Sequence, residues 1–204
     1  MNPFSFRRSN DRFARILAAA TTLFRDVGYD SARIEDIADM AGVSVGTFYN
    51  YYKNKGDMLM ATVSMEVEEV LASGATLIAH NHLDVGRAFA DLIGKYYVHS
   101  LTYLSKEMWR TAMSLSIAQP DSPFSKRYTA LDHRLSKQVC DLVRNLQIRG
   151  IVRKDVDCDA VGEMVFNNVN MMFIEFVKDE ELDISGLKSA VARQNAPLAS
   201  LITV

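Results

Sequence analysis

Residues 37–55 read IADMAGVSVGTFYNYYKNK, and this stretch decides the fold. It holds two short helical patterns separated by Gly42, and Ser44 stands where its side chain can cap the second helix. We predict a tight turn over residues 42–44 and a helix over residues 45–52. Two short helices joined by a glycine-containing turn of three or four residues are the signature of a helix-turn-helix.

The two faces of this stretch differ in chemistry. The apolar residues are expected to face a preceding helix: Ile37, Ala38, Ala41, Val43, Phe48 and Tyr52. The remaining residues of the second helix and its end are expected to face outward: Val45, Gly46, Thr47, Tyr49, Asn50, Tyr51 and Lys53. In a helix-turn-helix the second helix enters the major groove of DNA with its N-terminal residues against base edges. Exposed hydroxyl, amide and lysine groups suit contacts with phosphates and bases, so we predict a DNA interface here.

The same stretch resembles the DNA-binding domain of the tetracycline-repressor (TetR) family. The likeness is strongest over about residues 11–60 and looser beyond, where it extends to helix order and to the turn over residues 150–157. The resemblance implies an all-α fold of about nine helices. It implies an N-terminal three-helix helix-turn-helix domain over residues 1–56 and a helical ligand-binding and dimerisation domain over residues 57–204.

The resemblance also implies roles for single residues. Val45, Gly46 and Thr47 match base-reading positions, and Thr47 can bond a base edge while its methyl packs on a thymine methyl. Matches to phosphate-contacting positions are Tyr49, Tyr51 and Lys55. The complete predicted DNA-binding set is Arg33, Ser44, Val45, Gly46, Thr47, Tyr49, Asn50, Tyr51 and Lys55.

The chain departs from the family pattern before the helix-turn-helix. Two threonines usually contact phosphate where Ala32 and Arg33 stand, so we expect Ser31 to cap the helix and Arg33 to take the phosphate. Glu35 occupies a position that is often basic, and it either reads a cytosine amino group or only opposes the helix dipole. Three upstream arginines either reach a DNA groove or remain solvated: Arg7, Arg8 and Arg12.

Helical spacing of apolar residues continues along the whole chain. It predicts a helix before the motif over residues 11–27 and a short one ending near residue 41. After the motif it predicts helices over about residues 57–73, 84–104, 106–117, 124–149, 159–178 and 184–194. The helix over residues 159–178 has more apolar surface than one core contact uses, although burial within its own domain explains one of its faces, and apolar residues line one side of the last helix. The resemblance places dimerisation there, so we predict a homodimer on a palindromic operator in double-stranded DNA.

The central helices are rich in aromatic residues and methionine, which suits either a core or an apolar pocket with a few polar groups. The pocket candidates are Phe89, Tyr96, His99, Tyr103, Trp109, Met113, Tyr128, Asn168, Met172 and Phe173. The resemblance implies that a pocket exists without saying which residues line it. We predict a sequence-specific DNA-binding transcriptional regulator, a repressor released from its operator by a small apolar or amphipathic ligand. The alternative is a DNA-binding regulator without such a ligand, controlled by a protein partner or constitutive.

Composition indicates a cytoplasmic binding protein rather than an enzyme. The chain is 49% hydrophobic and 24% charged, with a net charge of +2 over residues 1–56 and −4 over residues 57–204. No apolar run approaches the roughly 18 residues of a membrane helix. Cys140 and Cys158 lack zinc or redox spacing, and the His80-Asn81-His82 stretch has no third ligand nearby. Since nucleophile-elbow and phosphate-loop motifs are also missing, we predict no catalytic residues, cofactor, metal or membrane association.

Overall fold

The computed structural model describes the backbone of residues 3–80 and 82–204 and the side chains of residues 11–80 and 82–204. This part of the chain is all-α, as predicted, and contains no strand beyond an isolated bridge between Val152 and Thr203. Its nine helices are α1 (Pro3–Val27), α2 (Ile34–Met40), α3 (Val45–Tyr49), α4 (Lys55–Ile78), α5 (Val85–His99), α6 (Lys106–Ala118), α7 (Pro123–Ile148), α8 (Cys158–Lys178) and α9 (Ile184–Ile202).

The chain forms two compact units. The first unit comprises Met1–Met65 and Tyr103–Tyr128, and the second comprises Glu66–Thr102 and Thr129–Val204. The chain therefore passes from one unit to the other within α4, between α5 and α6, and within α7. No helix in residues 3–80 and 82–204 is long and apolar enough to cross a bilayer.

The first unit is built around the side chains that α1, α2 and α3 turn towards one another. Its fully buried residues include Ile16, Phe24, Ile37 and Phe48. Gly28 ends α1 with a φ of +83°, a left-handed conformation that a side chain rarely adopts. This turn directs the chain back so that α2 can pack against α1.

Helix α6 belongs to the same unit as α1. Its Glu107 accepts a hydrogen bond from the backbone N–H of Tyr29, the residue after the glycine turn, at 3.3 Å. A Cβ placed on Gly28 would lie 3.2 Å from the same carboxylate oxygen. The turn between α1 and α2 is thus held from outside the helix-turn-helix sequence.

The second unit is held by helix packing and by polar bonds between distant helices. Tyr96 of α5 donates to Oε1 of Gln138 of α7 at 2.7 Å, and Gln138 Nε2 donates to the Leu71 carbonyl of α4 at 2.8 Å. The carboxamide fits because Gly74 has no side chain to occupy the same space. Helix α8 approaches α7 closely at Gly162, where a Cβ would lie 2.5 Å from Cys140 Cα.

Several helix ends differ from their predicted positions. Helix α1 begins at Pro3 rather than near residue 11, and α4 continues to Ile78. Helix α9 runs through Pro197 to Ile202 instead of ending near residue 194. Its end is bonded to the connection between α7 and α8, since the Ile202 carbonyl accepts from Arg153 N–H and Val204 N–H donates to the Ile151 carbonyl.

Both cysteines are buried and free. Burial is the main cause that raises the pKa of the Cys140 thiol and of the Cys158 thiol; neighbouring carboxylates act in the same direction, and Arg144 opposes them. A thiol that stays protonated is a poor nucleophile and metal ligand. Among the residues with described side chains, no group of three or more His, Cys, Asp or Glu is placed to hold a metal ion.

Candidate nucleic-acid interface

The turn between α2 and α3 has the geometry that the sequence predicts. Gly42 adopts a φ of +64°, and Ser44 occupies the N-cap position of α3. The Ser44 hydroxyl accepts from Thr47 N–H at 3.1 Å and lies 2.9 Å from the Thr47 hydroxyl. The cap satisfies one of the free N–H groups of the first turn and sets the orientation of the Thr47 side chain.

Helix α3 is fixed by an aromatic cluster beneath it. Phe48 is fully buried, and Tyr52 stacks on Phe13 of α1 with ring centroids 5.7 Å apart. Burial, together with nearby Tyr51, raises the pKa of Tyr52, which therefore stays neutral. Most of the predicted inward residues are buried, and one, Val43, is half-buried.

Helix α3 is shorter than predicted, because it ends at Tyr49 and not at residue 52. Asn50 N–H donates to the Thr47 carbonyl and Tyr51 N–H to the Phe48 carbonyl, so the chain tightens into a turn. Asn50 is exposed beyond the helix, whereas Tyr51 is half-buried with its ring 6.4 Å from Phe13.

The outward face of α3 presents a small set of groups to solvent. Tyr49 is 52% exposed, and its ring is held edge-on against Phe48 at 5.6 Å. Val45 and Thr47 are half-buried. Gly46 is exposed, and a Cβ there would meet only Ser44 Oγ at 3.9 Å. Internal packing therefore does not require a glycine at this position, whereas close approach by an external molecule would.

The start of α2 differs from the expectation for Ser31. Arg33, with an extended backbone, occupies the N-cap position, and no side chain caps the helix. The prediction that Ser31 caps α2 was therefore wrong. Ala32 is buried, and the exposed Arg33 pairs with Glu35 at 3.5 Å. An exposed ion pair is weak, so Arg33 can exchange it for a phosphate at little cost.

Lys55 has partners that the sequence did not suggest. Its ammonium group donates to the carbonyls of Tyr29 and Asp30, both at 2.9 Å, and lies 4.9 Å from the Tyr29 ring centroid. An ammonium has three donors, so these two carbonyls leave one N–H of Lys55 without a carbonyl partner. These partners lie about 25 residues earlier in the chain, which is why no local pattern reveals them.

The start of α4 also satisfies its own backbone donors. Asn54 Oδ1 accepts from Asp57 N–H at 2.9 Å, and Asp57 Oδ2 accepts from Lys53 N–H at 3.1 Å. This reciprocal cap leaves fewer free N–H groups for a phosphate than an uncapped helix would offer. Upstream, Arg12 is exposed, whereas the side chains of Arg7 and Arg8 lie outside the described residues.

The predicted ligand-pocket residues are divided between the two units. Those of the first unit are Tyr103, Trp109, Met113 and Tyr128, and those of the second are Phe89, Tyr96, His99, Asn168, Met172 and Phe173. Five are buried and the others half-buried. Their assignment to a pocket remains a prediction.

Several of these candidates already have partners within the second unit. His99 lies between two carboxylates, with Nδ1 2.5 Å from Glu66 and Nε2 3.2 Å from Glu69. Asn168 donates to Gln194 Oε1 of α9 at 2.7 Å. Phe173 stacks on Tyr97 at 6.0 Å. These contacts explain His99, Asn168 and Phe173 as residues that stabilise the fold of the second unit.

Residues 16–62 match the family model described as bacterial regulatory proteins, tetR family. This segment contains all of α2 and α3 and the residues that hold them. This segment is a DNA-binding domain of the TetR family of transcriptional regulators. The α2–α3 helix-turn-helix is therefore the DNA-binding element of this domain.

Similarity to known TetR-family proteins extends over nearly the whole chain. The fatty acid metabolism regulator protein of Bacillus subtilis is 23% identical over 91% of this chain and 94% of its own. The crystal structure of a TetR-family regulator from Mesorhizobium loti superposes with a TM-score of 0.77 at 17% identity, covering 97% and 99% of the two chains. The regulator FadR from Bacillus subtilis, solved in complex with stearoyl-CoA, gives a TM-score of 0.68 at 20% identity over 93% and 99%. At these identities the two structures share the fold with this chain.

Proposed function

We propose that this TetR-family regulator binds a palindromic operator as a homodimer and represses transcription by occupying it, until a small apolar or amphipathic ligand releases it. The proposal assigns DNA binding to residues 1–56, ligand binding and dimerisation to residues 57–204, and the protein to the cytoplasm. The observation that carries it is the outward face of α3. Gly46 and Tyr49 are exposed there, beside Thr47, whose N–H donates to the Ser44 cap.

The arrangement of this face supports base reading at its start and phosphate contact at its end. Thr47, oriented by Ser44, projects from the first turn of α3, which is the part of a recognition helix that meets base edges. Gly46, which has no side chain, allows the helix backbone to approach the base edges in the major groove of DNA. Tyr49 presents an exposed hydroxyl on a ring fixed by Phe48, which favours a phosphate at a defined position.

An apolar surface on α8 and α9 supports a dimer. Met164 and Met171 lie two turns apart on α8 and are 60% and 52% exposed, and Leu201 of α9 is also largely exposed. Beside them the Oδ1 atom of Asn168 is buried without a hydrogen-bond partner in the described part of the chain. Exposed large apolar groups of this kind are typical of an interface, and a two-fold dimer uses the same surface twice.

The dimer proposal predicts that a charge on this surface separates the protomers. Met164→Glu and Met171→Glu together should convert a dimer into a monomer in sedimentation velocity, without loss of helical circular dichroism. Glu163→Gln, an exposed change beside Met164, serves as a control and should leave the dimer intact. A double variant that sediments like the parent protein would contradict an α8–α9 interface.

Ligand release needs a structural link between the ligand-binding residues 57–204 and the helix-turn-helix. Hydrogen bonds within the first unit support such a link. The loop after α1 is bonded on one side by Lys55 at the start of α4 and on another by Glu107 of α6. A ligand that displaces α4 or α6 would pull on this loop and alter the position of α2. A coupling free energy of about 1–3 kcal/mol is typical for such a linkage and corresponds to a loss of operator affinity of roughly 5- to 150-fold.

The first test is selection of bound sequences from a randomised duplex pool by the purified protein. We expect a palindrome to be enriched, because two helix-turn-helix domains related by a two-fold axis read two half-sites. Tyr49→Ala should abolish enrichment, and Lys55→Ala should weaken it. Lys154→Ala, in an exposed turn of the second unit, should leave it unchanged. Enrichment that survives Tyr49→Ala would exclude α3 as the reader.

The second test measures operator affinity while a candidate ligand is added. Stearoyl-CoA is the first probe, because a TetR-family structure of similar fold was solved with it. We expect a weaker operator affinity with the acyl thioester and no change with free coenzyme A. If a panel of apolar and amphipathic ligands leaves the affinity unchanged, a regulator controlled by a protein partner or acting constitutively is favoured.

A further inference from the structure

A groove of about 430 Å³ runs between α5 and α9 within the second unit. Its floor is apolar and formed by the buried side chains of Phe89, Ile93 and Val191. Volumes of this size and mostly apolar walls with a few polar groups are typical of small-molecule sites.

Two glycines of α5 help to open the groove. At Gly94 the stem of Lys188 lies so close that a Cβ would be 3.1 Å from its Cε atom. At Gly86, two turns earlier, a Cβ would point towards Ala199 at 3.9 Å. The helices therefore run antiparallel, with Lys188 at the Gly94 end of the groove.

Asn195 is the unusual polar residue of this groove. It is only 7% exposed, and its Nδ2 atom is buried with no hydrogen-bond partner within the described part of the chain. Buried amide groups are normally paired, because an unpaired donor has lost its water without replacement. Asn195 lines the groove, so an oxygen atom of a bound molecule would supply the missing acceptor once the carboxamide turns towards it.

Lys188 supplies a positive charge at the other end. Its side chain is exposed and forms no ion pair with any residue whose side chain is described. Seven residues separate it from Asn195, which places the two about 10 Å apart along the helix at 1.5 Å per residue. A single head group cannot reach both residues, so an occupant that uses both is elongated.

We propose that the α5–α9 groove binds an elongated aliphatic monocarboxylate that carries a neutral oxygen at its far end. The carboxylate pairs with Lys188, the chain lies over Phe89 and Ile93, and the far oxygen accepts from Asn195. A medium-length aliphatic chain is needed to span the roughly 10 Å between the two polar groups.

This site is distinct from the proposed dimer surface. At about 100° per residue, Gln194 and Leu201 project from a different side of α9 than Lys188 and Asn195. The inference also does not depend on DNA binding, because its test measures ligand affinity without DNA. If the probes do not bind in the groove, the predictions for operator binding are unaffected.

The experiment is calorimetric titration of the full chain with three probes: 10-hydroxydecanoate, decanoate and decane-1,10-diol. The parent protein should bind the hydroxy acid about tenfold more tightly than either probe that lacks one polar group, as one lost hydrogen bond or charge contact implies. Lys188→Met should remove the preference for the acid over the diol. Asn195→Leu should remove the preference for the hydroxy acid over decanoate.

Two further variants complete the design. Lys95→Met removes an exposed lysine of α5 that does not line the groove and should leave all three affinities unchanged. Ala192→Trp, at an exposed position on the groove wall, should block binding without disturbing the core, and it replaces Asn195→Leu if that variant does not fold.

Three results would overturn the proposal. One is no binding of any probe at millimolar concentration. Another is binding whose preferences survive Lys188→Met and Ala192→Trp, which would place the ligand elsewhere. The third is a change in sedimentation of these variants without ligand, which would assign the groove to a second copy of the chain.

Discussion

The helix-turn-helix and the second unit use polar side chains in opposite ways. In the helix-turn-helix the hydrogen bonds that shape α3 are local, such as Ser44 to Thr47, three residues apart. In the second unit they join distant segments, such as Tyr96 to Gln138 and Tyr97 to the Val169 carbonyl, 42 and 72 residues apart. A surface made by local bonds can be recognised from a short motif, whereas an interior made by distant bonds cannot.

The glycines of the two regions show the same contrast. A Cβ on Gly46 would meet only the Ser44 hydroxyl oxygen, at 3.9 Å, so packing within the fold does not require a glycine there. Gly162 faces the backbone of Cys140, so its reason lies inside the fold. Helix packing therefore explains the glycine at position 162, whereas the glycine at position 46 is explained only by the proposed approach to DNA.

Gly162→Ala is expected to have the largest effect on stability. Gly162→Ala places a methyl group 2.5 Å from Cys140 Cα, which is backbone and cannot rotate away. We expect a loss of about 3 kcal/mol in the free energy of unfolding, at the upper end for overpacked cores. Urea denaturation followed by circular dichroism measures it.

Gly46→Ala is the matched control for that variant. Its stability should be unchanged or higher by up to about 1 kcal/mol, because alanine favours helix over glycine. Its operator affinity should nevertheless fall. If both alanine variants lose stability equally, the contrast between the two regions is wrong.

The carboxyl group of Asp132 in α7 is expected to have the next largest effect on stability, and this effect depends on pH. Burial raises its pKa from 3.8 to about 7, and it has no ion pair or hydrogen bond in the described part of the chain. The folded state therefore binds a proton more tightly than the unfolded state, and stability falls as pH rises from about 4 to about 7.

Asp132→Asn should remove this fall. Because the side chain retains some solvent contact, we expect roughly 2 kcal/mol of stabilisation at pH 8, less than the full shift implies. At pH 4 the two proteins should unfold at nearly the same urea concentration. An equal effect at both pH values would show that the carboxylate charge is not responsible.

The Tyr96–Gln138 bond tests the distant contacts of the second unit. Tyr96→Phe removes the donor and leaves Gln138 Oε1 without it, which should cost about 1.5 kcal/mol. Gln138→Leu also loses the bond to the Leu71 carbonyl. In a double-mutant cycle the combined loss should be smaller than the sum, and strict additivity would contradict a direct bond.

Ser44 gives the smallest effect and tests the local contacts of the head. Ser44→Ala removes the α3 cap and should lower stability by about 1 kcal/mol. Ser44→Asp, which retains an acceptor for Thr47 N–H, should restore the stability but still weaken operator binding by repelling phosphate. Thermal unfolding and operator titration together separate the two effects.

Local sequence was sufficient for much of the DNA-binding region. The Gly42 turn, the Ser44 cap and the burial of Phe48 all follow from residues within one or two helical turns. It was insufficient at Ser31, where the N-cap falls two residues later at Arg33. It was also insufficient at Lys55, because the two carbonyls that it binds are contributed by another part of the chain.

By itself, the sequence determined an all-α chain with a helix-turn-helix near its start, because helical periodicity, glycine turns and caps act between near neighbours. Only the tertiary structure decided how far α9 continues past Pro197, that Tyr96 bonds to Gln138, and that Asn195 lies unpaired in a groove. Each of these depends on atoms brought together from distant segments, and the burial that fixes them exists only once the helices have packed.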